Sequence, residues 1–152
     1  MIRPADARRA RGFTLTEVLT ALVVIVVLTA VAIPMWRNHL LRVRRADAIS
    51  ALIAVQNAQD RFFGRNARYA GAALLTTPSP EGLGLAATSE RGFYQVELRT
   101  SDDALEYTAI ARARPQDGAA ADARCVQMSI DHLGTRRATD SAGVDRGGDC
   151  WR

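Results

Sequence analysis

The sequence predicts an α+β fold: one long amino-terminal helix, its first half membrane-spanning, with its second half packed on a small antiparallel sheet. Three observations predict it. Residues 13–36 form an apolar run in which Glu17 is the only formally charged side chain. Residues 37–64 carry apolar side chains on at helical spacing. Past residue 92, short β-patterned segments alternate with turn residues, and both cysteines, Cys125 and Cys150, fall in this last part. With 152 residues, 48% of them hydrophobic and 24% charged, the chain has the size and composition of one ordinary domain.

Residues 1–12 read as a cytoplasmic leader. Arg3, Arg8, Arg9 and Arg11 precede the apolar run, and positive charge ahead of a span keeps that end inside and sends the rest of the chain out. A helix of residues 13–36 would be about 36 Å long, enough to cross a hydrocarbon core of about 30 Å. Glu17 is the anomaly. A carboxylate at the centre of such a helix costs on the order of 2.5–3.5 kcal/mol, less near its edge, and no basic residue lies between positions 13 and 36 to offset it. Cleavage between Gly12 and Phe13 would create the missing cation. The new α-amino group of Phe13 is charged near neutral pH and would lie one helical turn from Glu17, or beside the Glu17 of a neighbouring chain. A second reading takes Ala30-Val31-Ala32 as a small-x-small cleavage site and the run as a disposable secretory signal, with a mature start at Ile33. A disposable signal has no use for Glu17.

Pro34 removes the hydrogen bond its amide would give to Ala30 and crowds that carbonyl, so a kink or a melted turn is expected there. Arg37, Arg42, Arg44 and Arg45 then form a juxtamembrane basic cluster, read as a solvated face. Ile49, Leu52, Ile53, Phe62 and Phe63 continue an apolar stripe over residues 37–64, and Gly64 reads as the stop. Residues 65–92 read as a connector, with its clearest turn at Thr77-Pro78-Ser79-Pro80-Glu81-Gly82. In the head, residues 93–152, strands are expected over 93–98, 105–113, 125–130 and near 135–138, with Asp131-His132-Leu133-Gly134 as the turn before the last. If this half is exported, Cys125 and Cys150 pair as a disulfide. That closes a loop rich in Gly, Asp, Ser and Thr, for which the chain-entropy estimate is about 3.5 kcal/mol.

Arg11-Gly12-Phe13-Thr14-Leu15-Thr16-Glu17, followed by an apolar helix, resembles the type IV prepilin cleavage signature. The resemblance implies that a membrane prepilin peptidase cuts after Gly12 and methylates the new terminus at Phe13. Gly12 suits that role, because a residue without a side chain lets the scissile backbone approach closely. Thr16 departs from the family pattern, where a large aliphatic residue is usual. Pro34 also matches the family. Arg42-Val43-Arg44-Arg45-Ala46-Asp47-Ala48, then Gln59-Asp60-Arg61-Phe62-Phe63 with Asn66 and Tyr69, and a Cys125 loop ending in Cys150-Trp151-Arg152 resemble the PilE-type minor pilins. What this implies is a minor pilin of a type IV pilus that helps prime assembly and is then incorporated. Its partners would be other major and minor pilins, the prepilin peptidase, the inner-membrane assembly platform and membrane lipid. Its location would be the bacterial inner membrane, single-pass with a periplasmic head, and then the extracellular pilus.

Catalytic constellations are missing from the sequence: no Walker A loop, no dinucleotide glycine fingerprint, no G-x-S-x-G, no C-x-x-C and no H-E-x-x-H. A non-enzyme without cofactor or metal is expected. His39 and His132 read as surface or capping side chains. Asp140, Asp145 and Asp149 cluster in a glycine-rich loop where calcium is conceivable, but without EF-hand spacing they read as solvated turn residues. Two alternatives stay close to the pilin reading: a type II secretion pseudopilin, against which the carboxy-terminal disulfide loop argues, and a DNA-uptake pilin. Nucleic acid is the less favoured partner, since no basic stripe with interleaved aromatics is visible along the head.

Overall fold

A computed structural model describes residues 14–115 and 122–152. The elements are α1 (Leu15–Asn66), a short 3-10 turn (Ala72–Leu74), β1 (Tyr94–Thr100), β2 (Tyr107–Ala113), β3 (Gln127–Asp131), β4 (Arg136–Thr139) and α2 (Gly147–Cys150). Two compact units are distinguished, residues 1–39 and residues 40–152. The second holds the carboxy-terminal part of α1 and the whole sheet.

In the first unit α1 opens with a cap the sequence reading missed. Thr14 stands just ahead of the first helical residue, and its hydroxyl accepts a hydrogen bond from the Glu17 amide at 3.3 Å. Thr14-x-x-Glu17 is therefore the sequence of a capping box. From Leu15 to Trp36 the large apolar side chains are exposed on all sides, and an 18-residue window reaches a mean hydropathy of 2.8 with none of it buried in the protein. Only a non-aqueous surrounding or a partner satisfies such a surface. The hydroxyls inside this run are satisfied within the helix, Thr20 donating to the Glu17 carbonyl and Thr29 to Ile25 and Val26. Pro34 lies inside α1, so of the two outcomes expected there a melted turn does not occur.

In the second unit, α1 presents Ala48, Leu52, Val55, Gln59 and Phe62 as its fully buried line, at helical spacing. Ile49 is partly covered and Phe63 is exposed, so the buried stripe is narrower than the sequence suggested. Gly64 is not the stop. The helix runs to Asn66 and ends where Ala67 turns left-handed (φ 52°), its amide closing on the Phe63 carbonyl at 2.8 Å while the Asn66 side chain bonds the Phe62 carbonyl.

The sheet is a four-stranded antiparallel meander in the order β1-β2-β3-β4. Its registers set large residues against small ones on the buried face. Val96 pairs with Ala111 and Leu98 with Ala109; Ala109 pairs with Ile130 and Ala111 with Met128; Met128 pairs with Ala138. The alanines of β2 and β4 leave room for the helix side chains that share the same buried cluster. The expected strands are all present, their ends within two residues of those expected. In the connector the helix–sheet gap is spanned by close backbone packing: a Cβ at Gly82 would lie 2.5 Å from Thr77 and 2.6 Å from the Leu74 carbonyl.

Candidate assembly site

Gly12 and Phe13, the expected processing pair, lie outside the described residues, as does the whole 1–12 leader. Glu17 lies in the first turn of α1, where a carboxylate meets the positive end of the helix dipole and the free amides of the opening turn. A cap and a dipole thus give Glu17 a local reason to be where it is. Neither uses up its charge, and among the described residues Glu17 takes part in no ion pair. At the far end of the same unit, about twenty residues along α1 from Glu17, the rings of Trp36 and His39 approach to 6.3 Å.

The carboxy-terminal loop is built around Cys125 and Cys150, which form a disulfide between fully buried residues 25 positions apart. Tyr94 donates its hydroxyl to the Cys125 carbonyl at 3.1 Å, and burial, aided by the charge of Asp122, pushes that phenol above its ordinary value. The base of the loop, where Asp122 leads into Cys125, is clamped to α1 by Arg45. Its Nε lies 2.7 Å from Asp122 Oδ2 and its Nη2 3.3 Å from Oδ1, with only 12% and 2% of the two side chains exposed. Arg45 Nη1 also reaches the Asp149 carbonyl at 3.5 Å. The expected solvated basic cluster is therefore corrected at two positions: Arg45 is an internal ion-pair partner, and the Arg44 guanidinium lies over the Phe93 ring, 5.2 Å from its centre. Arg42 is exposed, as read, and the Arg37 side chain lies outside the described ones.

The three loop aspartates have structural employment. Asp140 accepts the amides of Ala142 and Val144 and pairs with Arg146 at 3.0 Å. The Val144 amide, with the Arg146 guanidinium, holds its carboxyl below the ordinary carboxylate range, against a smaller effect of burial. Asp145 accepts the Gly147 amide, and Asp149 pairs with Arg124. Among the described residues no group of three or more His, Cys, Asp or Glu is placed to hold a metal ion.

His132 sits in the β3–β4 turn as expected, its ring 6.3 Å from that of Tyr69. The turn is organised by Asp131, which accepts the amides of Leu133 and Thr135. Burial raises that carboxyl, but the hydrogen bonds from Thr135 and Leu133 prevail and its pKa is lowered. Gln59 is a further residue whose role was hidden: fully buried, it exchanges two hydrogen bonds with the Ala70 backbone, donating to the carbonyl at 2.9 Å and accepting from the amide at 2.8 Å. A glutamine on the buried face of a helix was the available signal.

Arginines and aromatics are brought together here in a way the linear order conceals. Arg136 lies over the Trp151 ring at 5.2 Å, and the Trp151 indole donates to the Arg137 carbonyl.

The family model described as "Type IV minor pilin ComP, DNA uptake sequence receptor" matches residues 34–129. The model for the prokaryotic N-terminal methylation motif matches residues 7–33. A curated relative, the type II secretion system core protein G of Klebsiella pneumoniae, is 32% identical over 79 residues, which is 49% of this chain and 56% of that protein. The chain thus spans little more than half the length of that relative. A solved type IV pilin from Shewanella oneidensis is similar at 23% identity and a TM-score of 0.44, over 63% of this chain and 89% of that one.

Proposed function

Since the chain belongs to the type IV minor pilin family of ComP, we propose that it is cut between Gly12 and Phe13, methylated on Phe13 and built into a filament through Glu17. The observation that carries this is the succession of the two family matches, a methylation motif over residues 7–33 followed without a gap by a minor-pilin match from residue 34. The apolar helix and the methylation motif fit a membrane-anchored pilin. In the precursor the prepilin peptidase meets the Gly12–Phe13 bond at the inner membrane, with the leader cytoplasmic and the head periplasmic. After the cut, the Phe13 amine is the new chain terminus, one residue before Thr14 in sequence, and pairs with Glu17 of the same or a neighbouring subunit. That pairing neutralises a carboxylate in an apolar surrounding, where an uncompensated charge is costly. The exposed apolar surface of residues 15–36 is then buried among the helices of other major and minor pilins. The inner-membrane assembly platform is the place where this exchange of lipid for protein would occur.

The pilin fold is structural rather than catalytic, and the chain's side-chain networks are consistent with that role: they fasten turns, loop and helix to one another. Glu17→Val tests the assembly step. It should leave processing and membrane insertion intact while abolishing most incorporation; wild-type amounts of the variant in sheared filaments would contradict the pairing.

One specific observation favours a second output, DNA uptake: the matching family model is described as that of a DNA uptake sequence receptor. The Arg136 guanidinium, held over the Trp151 ring, offers a cation for phosphate. Binding of this kind weakens steeply with salt, because each neutralised phosphate releases counterions. A mobility shift with double-stranded DNA that is insensitive to salt, or to Arg136→Ala, would count against it.

A further inference from the structure

Asp47 is 7% exposed, and one of its two carboxylate oxygens is accounted for: Oδ1 accepts the Arg91 amide at 3.1 Å. Oδ2 is buried with no hydrogen-bond partner. A buried carboxylate oxygen without a donor destabilises the fold that keeps it, so the position calls for an explanation outside the subunit's own packing.

The surroundings supply one. Asp47 belongs to the walls of two neighbouring cavities, of about 330 and 260 Å³, which also share Ser50 and Glu90. The larger lies between α1 and the segment leading into β1. Ala51, Ala54, Leu85 and Val96 make its apolar sides, with Asp47 and the exposed Glu90 as its carboxylates. The lining of this larger cavity holds no basic side chain, while Arg91 lines the smaller one beside it. A slot with short aliphatic walls and two carboxylates suits a flexible hydrocarbon stem that ends in a planar, multidentate cation. That is the chemistry of arginine: the stem lies on the alanines and the guanidinium donates to carboxylates with two or more N–H groups at once. Every basic side chain of this protein is an arginine, apart from its two histidines, and Arg42, Arg61, Arg99 and Arg137 are exposed.

The geometry points to the Asp47–Glu90 slot as a docking site for an arginine side chain of a neighbouring pilin subunit, the guanidinium giving Asp47 Oδ2 the donor it lacks. This contact rests on the filament reading and lies in the head, separate from the Phe13–Glu17 pairing in the apolar helix. It would fix the identity and angle of the neighbour, since a lone acidic slot rejects a subunit that presents a carboxylate or nothing there.

The test uses the full processed chain in detergent micelles, titrated with N-acetyl-arginine amide and followed by backbone NMR. Saturable shifts at Ser50, Ala51 and Glu90 are expected in the wild type and should vanish in Asp47→Asn, which keeps the Oδ1 acceptor for Arg91 but removes the charge. No saturable shift, or one unchanged by Asp47→Asn, overturns the proposal whether or not the chain forms filaments. In sheared filaments, Asp47→Asn should be at least about 30-fold depleted relative to wild type while melting no lower in micelles. Normal incorporation overturns the proposal whatever the titration reads. Should Asp47→Asn fold poorly, Glu90→Gln at the exposed carboxylate replaces it, with several-fold depletion expected and wild-type levels contradicting. Filaments that lack even the wild-type chain would instead refute the pilin reading, leaving the titration to decide the slot.

Discussion

Replacing Arg45 by methionine is the perturbation whose size follows most directly from the structure. The Arg45–Asp122 pair is nearly sealed, with 12% and 2% of the side chains exposed, and it is bidentate at 2.7 and 3.3 Å. Methionine keeps much of the stem's volume and removes the charge, so Asp122 is left in the interior with the Arg124 amide as its remaining donor, at 3.0 Å. Breaking one side of a buried pair typically costs about 3–5 kcal/mol, most of it the penalty of the abandoned charge. At roughly 4 °C per kcal/mol for a unit of this size, the head should melt about 12–20 °C lower. The assay is near-ultraviolet circular dichroism of the full chain in micelles, whose melting change comes from Trp151 and the buried tyrosines of the head over a background from Trp36 in the apolar helix. The paired variant Arg45→Met with Asp122→Asn should recover most of the loss, because an amide keeps the turn hydrogen bond and leaves no unpaired charge. A loss below about 1 kcal/mol, the range of exposed pairs, or a double variant as unstable as the single, would refute the reasoning.

Cys125→Ala with Cys150→Ala should lower head stability by about 3.5 kcal/mol on the chain-entropy estimate for a 25-residue separation, read by denaturant titration against the oxidised wild type; an unchanged midpoint would mean that the Arg45 clamp alone holds the loop. Alkaline stability gives another check. Tyr94 and Tyr107 are held above the ordinary phenol value of 10.0, chiefly by burial. The unfolded chain then loses these protons first, so stability is intact below pH 10 and falls as pH rises beyond it. Tyr94→Phe should flatten that decline, and a slope identical to wild type would contradict the assignment.

The elements that could be read from the sequence were those written in local pattern. An apolar run with one carboxylate, a two-residue alternation in each strand and a turn at Asp131–Gly134 depend on near neighbours, and they stand within a residue or two of where the pattern put them. What stayed hidden depends on contacts distant in sequence. Arg45 and Asp122 are 77 positions apart, so nothing local distinguishes Arg45 from the solvated Arg42. The pairing of large with small residues across the sheet needs the strand register. The helix end passed Gly64 because Ala67 adopted the left-handed turn that glycine usually supplies, a choice made by the packing of the Phe62–Tyr69 segment rather than by propensity. Thr14 and Glu17 are legible as a capping box, a local pattern at the edge of the apolar run that is independent of the membrane problem posed by the Glu17 charge.

Intact-mass and fragment analysis of the protein extracted from sheared filaments tests the central claim most directly. A chain that begins at Phe13, carries one methyl group on its amino nitrogen and retains Glu17 is the predicted result. A chain that begins at Ile33, or one that keeps its first twelve residues while present in the filament, would contradict it.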